Sequence, residues 1–293
     1  MTQSTPAKRL QSIERNPHQH WVGNGFPVRT LFAYSDRGRE LSPFLLLDYA
    51  GPVEFPPTTA RRGVGEHPHR GFETVTIVYA GEVEHRDSGG GGGKVGPGDV
   101  QWMTAAAGVV HEEFHGREYA ARGGAFEMVQ LWVNLPAKDK FAPPRYQGIL
   151  AADTPTVDLP GGGGTVRVIA GEYGGAKGPT KTFTPIHVWD LRLRAGHEID
   201  LAVPAGFTTA LVVLRGGVRA PDQQEVHAAE VAVFAREGRR LSFETLADTT
   251  ALLLCGQPID EPIVGQGPFV MNTAQEIHAA MADYRSGKMG HLA

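Results

Sequence analysis

Residues 74–87 read TVTIVYAGEVEHRD, and residues 209–222 read TALVVLRGGVRAPD. The two stretches share Thr, Val, Gly, Val and Asp in register, at an offset of 135 positions. Each is a run of strand-favouring residues, a glycine at which the chain can reverse, and a returning run. A strand–turn–strand unit recurring at that distance predicts two related β-domains in tandem. Working outward, Phe44–Leu47, Val129–Val133, Val166–Ile169, His187–Leu193 and Ala228–Phe234 are further apolar runs of strand length bounded by Gly, Pro or Asp. The expected fold class is all-β.

Composition agrees. The 293 residues include 38 glycines and 21 prolines, about a fifth of the chain against an average near 12%. Such a chain is rich in turns and poor in long helices. Hydrophobic residues at 41% suffice for a core. Lys and Arg number 28 and Asp and Glu 32, a formal charge of −4, which argues against binding nucleic acid by phosphate neutralisation. One cysteine, Cys255, permits no internal disulfide and reads as a small buried hydrophobe. The first seventeen residues are polar, and no window offers the roughly 18 uninterrupted apolar residues of a membrane span. A soluble, cytoplasmic protein without a direct nucleic-acid or membrane partner is expected.

One helix is predicted, over about residues 274–286. Thr273 and Glu276 have capping-box spacing, Ile277, Ala280, Met281 and Tyr284 share a face, and Gly287 ends the pattern. The polar, proline-rich stretch PAKDKFAPP at 136–144 reads as a linker, dividing the chain into domains 1–138 and 139–293. The glycine run 89–93 reads as a flexible hairpin loop. It lacks both ends of a phosphate-loop pattern, with Ser88 before it and Val95 after Lys94.

Chemistry concentrates in two short segments, His67-Pro68-His69 and His111-Glu112-Glu113. On a strand, residues i and i+2 point to one face. His67 and His69 therefore aim together, as do His111 and Glu113. If the two strands line one pocket, three imidazoles and a carboxylate converge, a donor set for a divalent first-row metal with one or two positions left open. Glu73 is the rival carboxylate. It keeps the parity of His67 and His69 but lies about 13 Å along a regular strand from His69, so Glu113 is preferred and Glu73 is kept as a possible partner of a ligating imidazole. His18 and His20 lie in a polar segment without a second pair, His115 is expected just past a strand end, and His85 stands isolated. Trp102, Met103 and Trp132 are expected to pack in the first barrel, near the pocket. The second repeat places Ala202, Pro204 and Ser242 at the histidine positions, so one metal per chain is expected.

The stretches His67–Val75 (HPHRGFETV), Pro97–Ala105 (PGDVQWMTA), Gly108–Glu113 (GVVHEE), Gln130–Leu135 (QLWVNL) and Gly267–Thr273 (GPFVMNT) resemble the pirin family. Trp21–Phe26 and Pro43–Asp48 extend the likeness, while residues 114–125 follow the family pattern less closely. The resemblance implies two tandem cupin barrels of the jelly-roll type, with the metal in the N-terminal one. It implies iron(II) held by His67, His69, His111 and Glu113, although manganese, cobalt, nickel or copper also suit such a set. It further implies quercetin 2,3-dioxygenase chemistry on a small aromatic substrate with O2, Glu113 being the catalytic proton acceptor. The alternative it implies is a redox-responsive regulatory protein that binds a transcription factor or metabolic enzyme, for which the loop 88–93 would be the contact surface.

Overall fold

The structure is a computed structural model that describes residues 6–292. The repeated stretch forms the predicted unit twice. Phe72–Ala80 turns into Val83–Asp87, and Thr208–Arg215 turns into Gly217–Arg219. The corner glycines, Gly81 and Gly216, hold φ of +84° and +80°, a left-handed conformation that glycine adopts without a Cβ penalty. Phe72–Val78 and Thr208–Leu214 are buried throughout, as central strands covered on both faces must be.

Each unit pairs a seven-stranded with a four-stranded antiparallel sheet. In the first, Val100–Thr104, Phe72–Ala80, Gly124–Asn134 and Phe44–Phe55 are consecutive neighbours, faced by Gly63–His69, Val109–His115, Val83–Asp87 and Gly92–Val95. In the second, Glu230–Phe234, Thr208–Arg215, Thr249–Gly256 and Ile186–Leu193 are the equivalents, with Glu198–Ala202, Arg240–Thr245, Gly217–Arg219 and Glu225–His227 as the smaller sheet. The all-β expectation of two barrels with a helix near the C-terminus is met.

The division at 138/139 is not how the chain is shared. Among the described residues, one unit comprises 17–39, 44–151 and 259–292; the other comprises 6–16, 40–43 and 152–258. The reason is strand pairing across long sequence separations. Arg145–Ile149, beyond the expected linker, pairs with Val100–Thr104 and so belongs to the first barrel. Leu10–Arg15 edges the second barrel by pairing with Glu230–Phe234. Just before it, the buried Lys8 ammonium donates to the carbonyls of Phe207, Ala235 and Arg236.

The helix runs Ala274–Arg285 with the predicted capping box, but it completes the first unit, not the second. Ile277 and Ala280 pack on Val110, Phe269 and Met271. Burying the Ile277 side chain is worth about 2 kcal/mol. Tyr284, expected on the same face, is 39% exposed. No described helix is long and apolar enough to cross a membrane. Cys255 is buried, and burial pushes its thiol up to about 11.

Candidate metal centre

Three neighbouring strands of the smaller first sheet build the site. Val109–His115 lies between Gly63–His69 and Val83–Asp87. Across the first pairing His111 stands opposite His67 and Val109 opposite His69; across the second, His111 stands opposite Asp87 and Glu113 opposite His85. The i, i+2 alternation thus operates on three strands at once, turning 67/69, 111/113 and 85/87 toward the barrel interior.

His67, His69 and His111 come together, with donor atoms within 4.8 Å of one another. The rings of His67 and His111 are 4.2 Å apart, those of His69 and His111 4.8 Å, and those of His67 and His69 4.9 Å. Glu113 falls in a second, overlapping group with His85 and His111. The four expected ligands therefore span two three-residue groups that share His111. Among the described residues both such groups lie in this barrel.

The donor set fits a cation. His67 Nδ1 is 2.8 Å from the Gly65 carbonyl and His69 Nδ1 3.3 Å from the Pro268 carbonyl. A carbonyl only accepts, so both Nδ1 atoms carry the proton and both Nε2 atoms keep a free lone pair. His111 Nε2 is buried with no hydrogen-bond partner, which is costly unless something else uses that lone pair. Burial, reinforced by the neighbouring imidazoles, holds His69 and His111 well below the usual histidine range, so both are neutral and ready to ligate at pH 7. His67 is half-buried and marks the side open to solvent, whereas His69, His111 and Glu113 are buried.

The larger sheet supplies Glu113 with donors. Thr76 stands opposite both Gln130 and Gln101. Its hydroxyl is 3.2 Å from Glu113 Oε1 and 2.7 Å from Gln130 Oε1, and Gln101 Nε2 is 3.3 Å from Glu113 Oε1. One carboxylate oxygen is thereby oriented.

Glu73 does not share this face. It stands opposite Thr104, from whose hydroxyl it accepts at 2.7 Å, and lies 3.8 Å from Arg145. Parity counted from His69 fails because Gly71, at φ +91°, turns the chain between two sheets. Glu73 is three residues from Thr76 and so faces the opposite way. Burial raises its carboxyl to about 7.

Sequence reading missed His85. His85 Nε2 is 3.0 Å from Asp87 Oδ2, its Nδ1 is 3.3 Å from His111 Nδ1, and Tyr146 stacks on its ring at 5.2 Å. The signal was present, since His85-Arg86-Asp87 repeats the i, i+2 spacing of the ligand pairs. His115 was also misplaced. It ends the Val109–His115 strand inside a box of Phe26, Phe55, Tyr119 and Phe126, and its Nε2 donates to the Gly25 carbonyl at 2.9 Å. Glu112, of opposite parity, pairs with Arg61 and Arg86. His18 and His20 are exposed. Trp102 and Met103 are core residues, while the partly buried Trp132 packs against His69 and stacks on Phe72.

The second barrel replaces the polar lining position by position. At the offset of 135, Thr76 and His85 correspond to Leu211 and Ala220. Leu211 stands opposite Ala232 and Leu253, as Thr76 stands opposite Gln101 and Gln130. All four replacements sit in one apolar cluster.

Comparison with known proteins matches this arrangement to two family models, Pirin over residues 25–133 and Pirin C-terminal cupin domain over residues 188–290. A Pseudomonas aeruginosa protein named "Putative quercetin 2,3-dioxygenase" is 56% identical over 281 residues, covering 96% of this chain and 98% of its own. Human pirin is 38% identical over 261 residues, covering 86% and 84%. A crystal structure titled quercetin 2,3-dioxygenase from Acinetobacter baumannii, 55% identical, superposes with a TM-score of 0.96 over 98% of this chain and 100% of that one.

Proposed function

The chain belongs to the pirin family, and on that premise we propose that it is a metal-dependent dioxygenase that opens the ring of a flavonol such as quercetin, or a similar enol, with O2. The observation that carries the reading is the convergence of His67, His69 and His111, with the buried His111 Nε2 left without a partner. The relatives of 55–56% identity named for quercetin 2,3-dioxygenase support the choice of substrate class.

His67, His69 and His111 would hold the cation through Nε2, and Glu113 would complete the set through a carboxylate oxygen. We assign iron(II) as the resident ion. A divalent cation in such a four-donor set keeps open positions and lowers the pKa of a hydroxyl bound to it. Glu113 accepts the proton of the flavonol hydroxyl, its Oε1 being kept in place by Thr76 and Gln101. The partly buried Trp132, packed against His69 and backed by the buried Phe72, offers an apolar face against which a flat ring can lie.

The test is turnover. Metal-loaded protein in air should consume quercetin and O2 in equal amounts; quercetin left unchanged by protein of verified metal content overturns the reading.

A further inference from the structure

The glycine run 89–93, expected as a flexible loop, is a folded turn followed by the strand Gly92–Val95. Its backbone wraps one carboxylate. Gly89 N and Gly91 N donate to Asp87 Oδ1 at 2.8 and 2.9 Å. A Cβ on Gly91 would stand 2.4 Å from Asp87 Oδ2 and 2.5 Å from Tyr146 Cβ, so the wrap closes only without a side chain there. With Oδ1 occupied by two amides, Oδ2 is presented to His85 Nε2 at 3.0 Å. An ionised carboxylate only accepts, so that nitrogen carries the His85 proton and Nδ1 holds the lone pair. Two groups face this lone pair, His111 Nδ1 at 3.3 Å and the Gln101 amide nitrogen at 3.2 Å. Two lone pairs facing each other across 3.3 Å would repel, so His111 carries its proton on Nδ1 and its free lone pair on Nε2, the buried atom without a partner.

We propose that Asp87 and His85, clamped by the glycine turn, are positioning residues that fix the tautomer and ring orientation of His111 so that its Nε2 is available to the metal. The inference rests on the ligand assignment of the preceding subsection but not on the reaction. Metal-bound histidines commonly donate their second ring N–H to a carboxylate or carbonyl. Here an imidazole is interposed, and its own orientation depends on a carboxylate built into a tight turn. His85 also shares Gln101 with Glu113, so one amide touches one proposed ligand and the support of another. The second barrel, which has Ala220 at the His85 position, has nothing to orient.

The experiment reads tautomers directly, by long-range 1H–15N correlation of the metal-free protein at pH 7. His85 should appear protonated at Nε2 and His111 at Nδ1. Asp87→Asn should invert His85, because Gly89 and Gly91 hold the amide oxygen and leave its NH2 facing the ring. Asp87→Asn and His85→Phe should each weaken metal affinity by about 10- to 100-fold in chelator competition. His115→Phe, a buried histidine of the same barrel outside this chain, should leave affinity unchanged. His85 protonated at Nδ1 in the parent protein overturns the proposal, as do both variants binding metal like the parent. So does a metal-induced 15N shift at His85 of ligand size, which would make it a ligand and not a support. If the parent protein binds no metal, the ligand assignment fails while the tautomers still decide this proposal.

Discussion

Lys140 Nζ donates to the carbonyl oxygen of Gly71 at 2.7 Å, two residues past His69. The same ammonium donates to Asn134 Oδ1 at 2.7 Å and to the Val270 carbonyl at 3.0 Å. It therefore joins the turn that follows one proposed ligand to the C-terminal segment whose Pro268 carbonyl holds that ligand's ring. Lys140→Met leaves three buried acceptors unpaired. A loss on the order of 3 kcal/mol is expected in urea unfolding, with weakened metal binding. Unfolding midpoints equal to the parent's would show that Lys140 is no such tie.

Elemental analysis separates the carboxylates and the histidines. His111→Ala should reduce metal content from about one ion per chain to near zero, because it removes the donor common to both clusters. Glu73→Gln should retain full content, since Glu73 bonds to Thr104 on the other face of its sheet. Metal lost from Glu73→Gln and kept by Glu113→Gln would reverse the assignment.

Gln101→Leu removes a donor from Glu113 Oε1, making this barrel more like its apolar counterpart. Quercetin turnover should fall about 10- to 100-fold with little change in fold. The comparison to make is kcat at matched metal content, since lost occupancy alone would leave kcat per bound ion untouched.

Acid should destabilise the first barrel through His115. Burial, partly offset by its hydrogen bond with the Gly25 carbonyl, lowers this imidazole to about 4. The unfolded chain binds the proton near 6.5 and the folded chain does not, so the contribution is complete above pH 6.5 and is lost progressively down to pH 4. At most about 3 kcal/mol is at stake, from 1.36 kcal/mol per pH unit. His115→Phe should flatten that part of the stability–pH curve; an unchanged slope between pH 6.5 and 4 would contradict it.

Cys255 should be inert to thiol reagents in the native protein and react only on unfolding, because the thiolate that reacts is suppressed by burial. Rapid labelling of folded protein would place it at an accessible surface, against its position in the second core.

Much of this protein was readable in one dimension. The strand–turn–strand repeat, its corner glycines and the capping box at Thr273 depend on residues within a few positions of each other, and each formed as expected. The pairs 67/69 and 111/113 were legible for the same reason, that strand alternation has a period of two. His85 escaped because an isolated histidine carries no sign of its neighbours, although Asp87 two residues on repeated the ligand spacing. Glu73 stood as the rival to Glu113 only because parity was carried across Gly71, where a left-handed turn delivers the chain to another sheet.

Which strands lie side by side was decided only in three dimensions. Tertiary pairing brought 85/87 next to 111/113, gave residues 259–292 to the first unit, and put Leu10–Arg15 on the edge of the second. Local patterns specify backbone geometry and the face on which a side chain stands. The partner of that face is chosen by burial and by the pairing of strand edges, contacts that couple residues more than two hundred positions apart and leave no local mark on the chain.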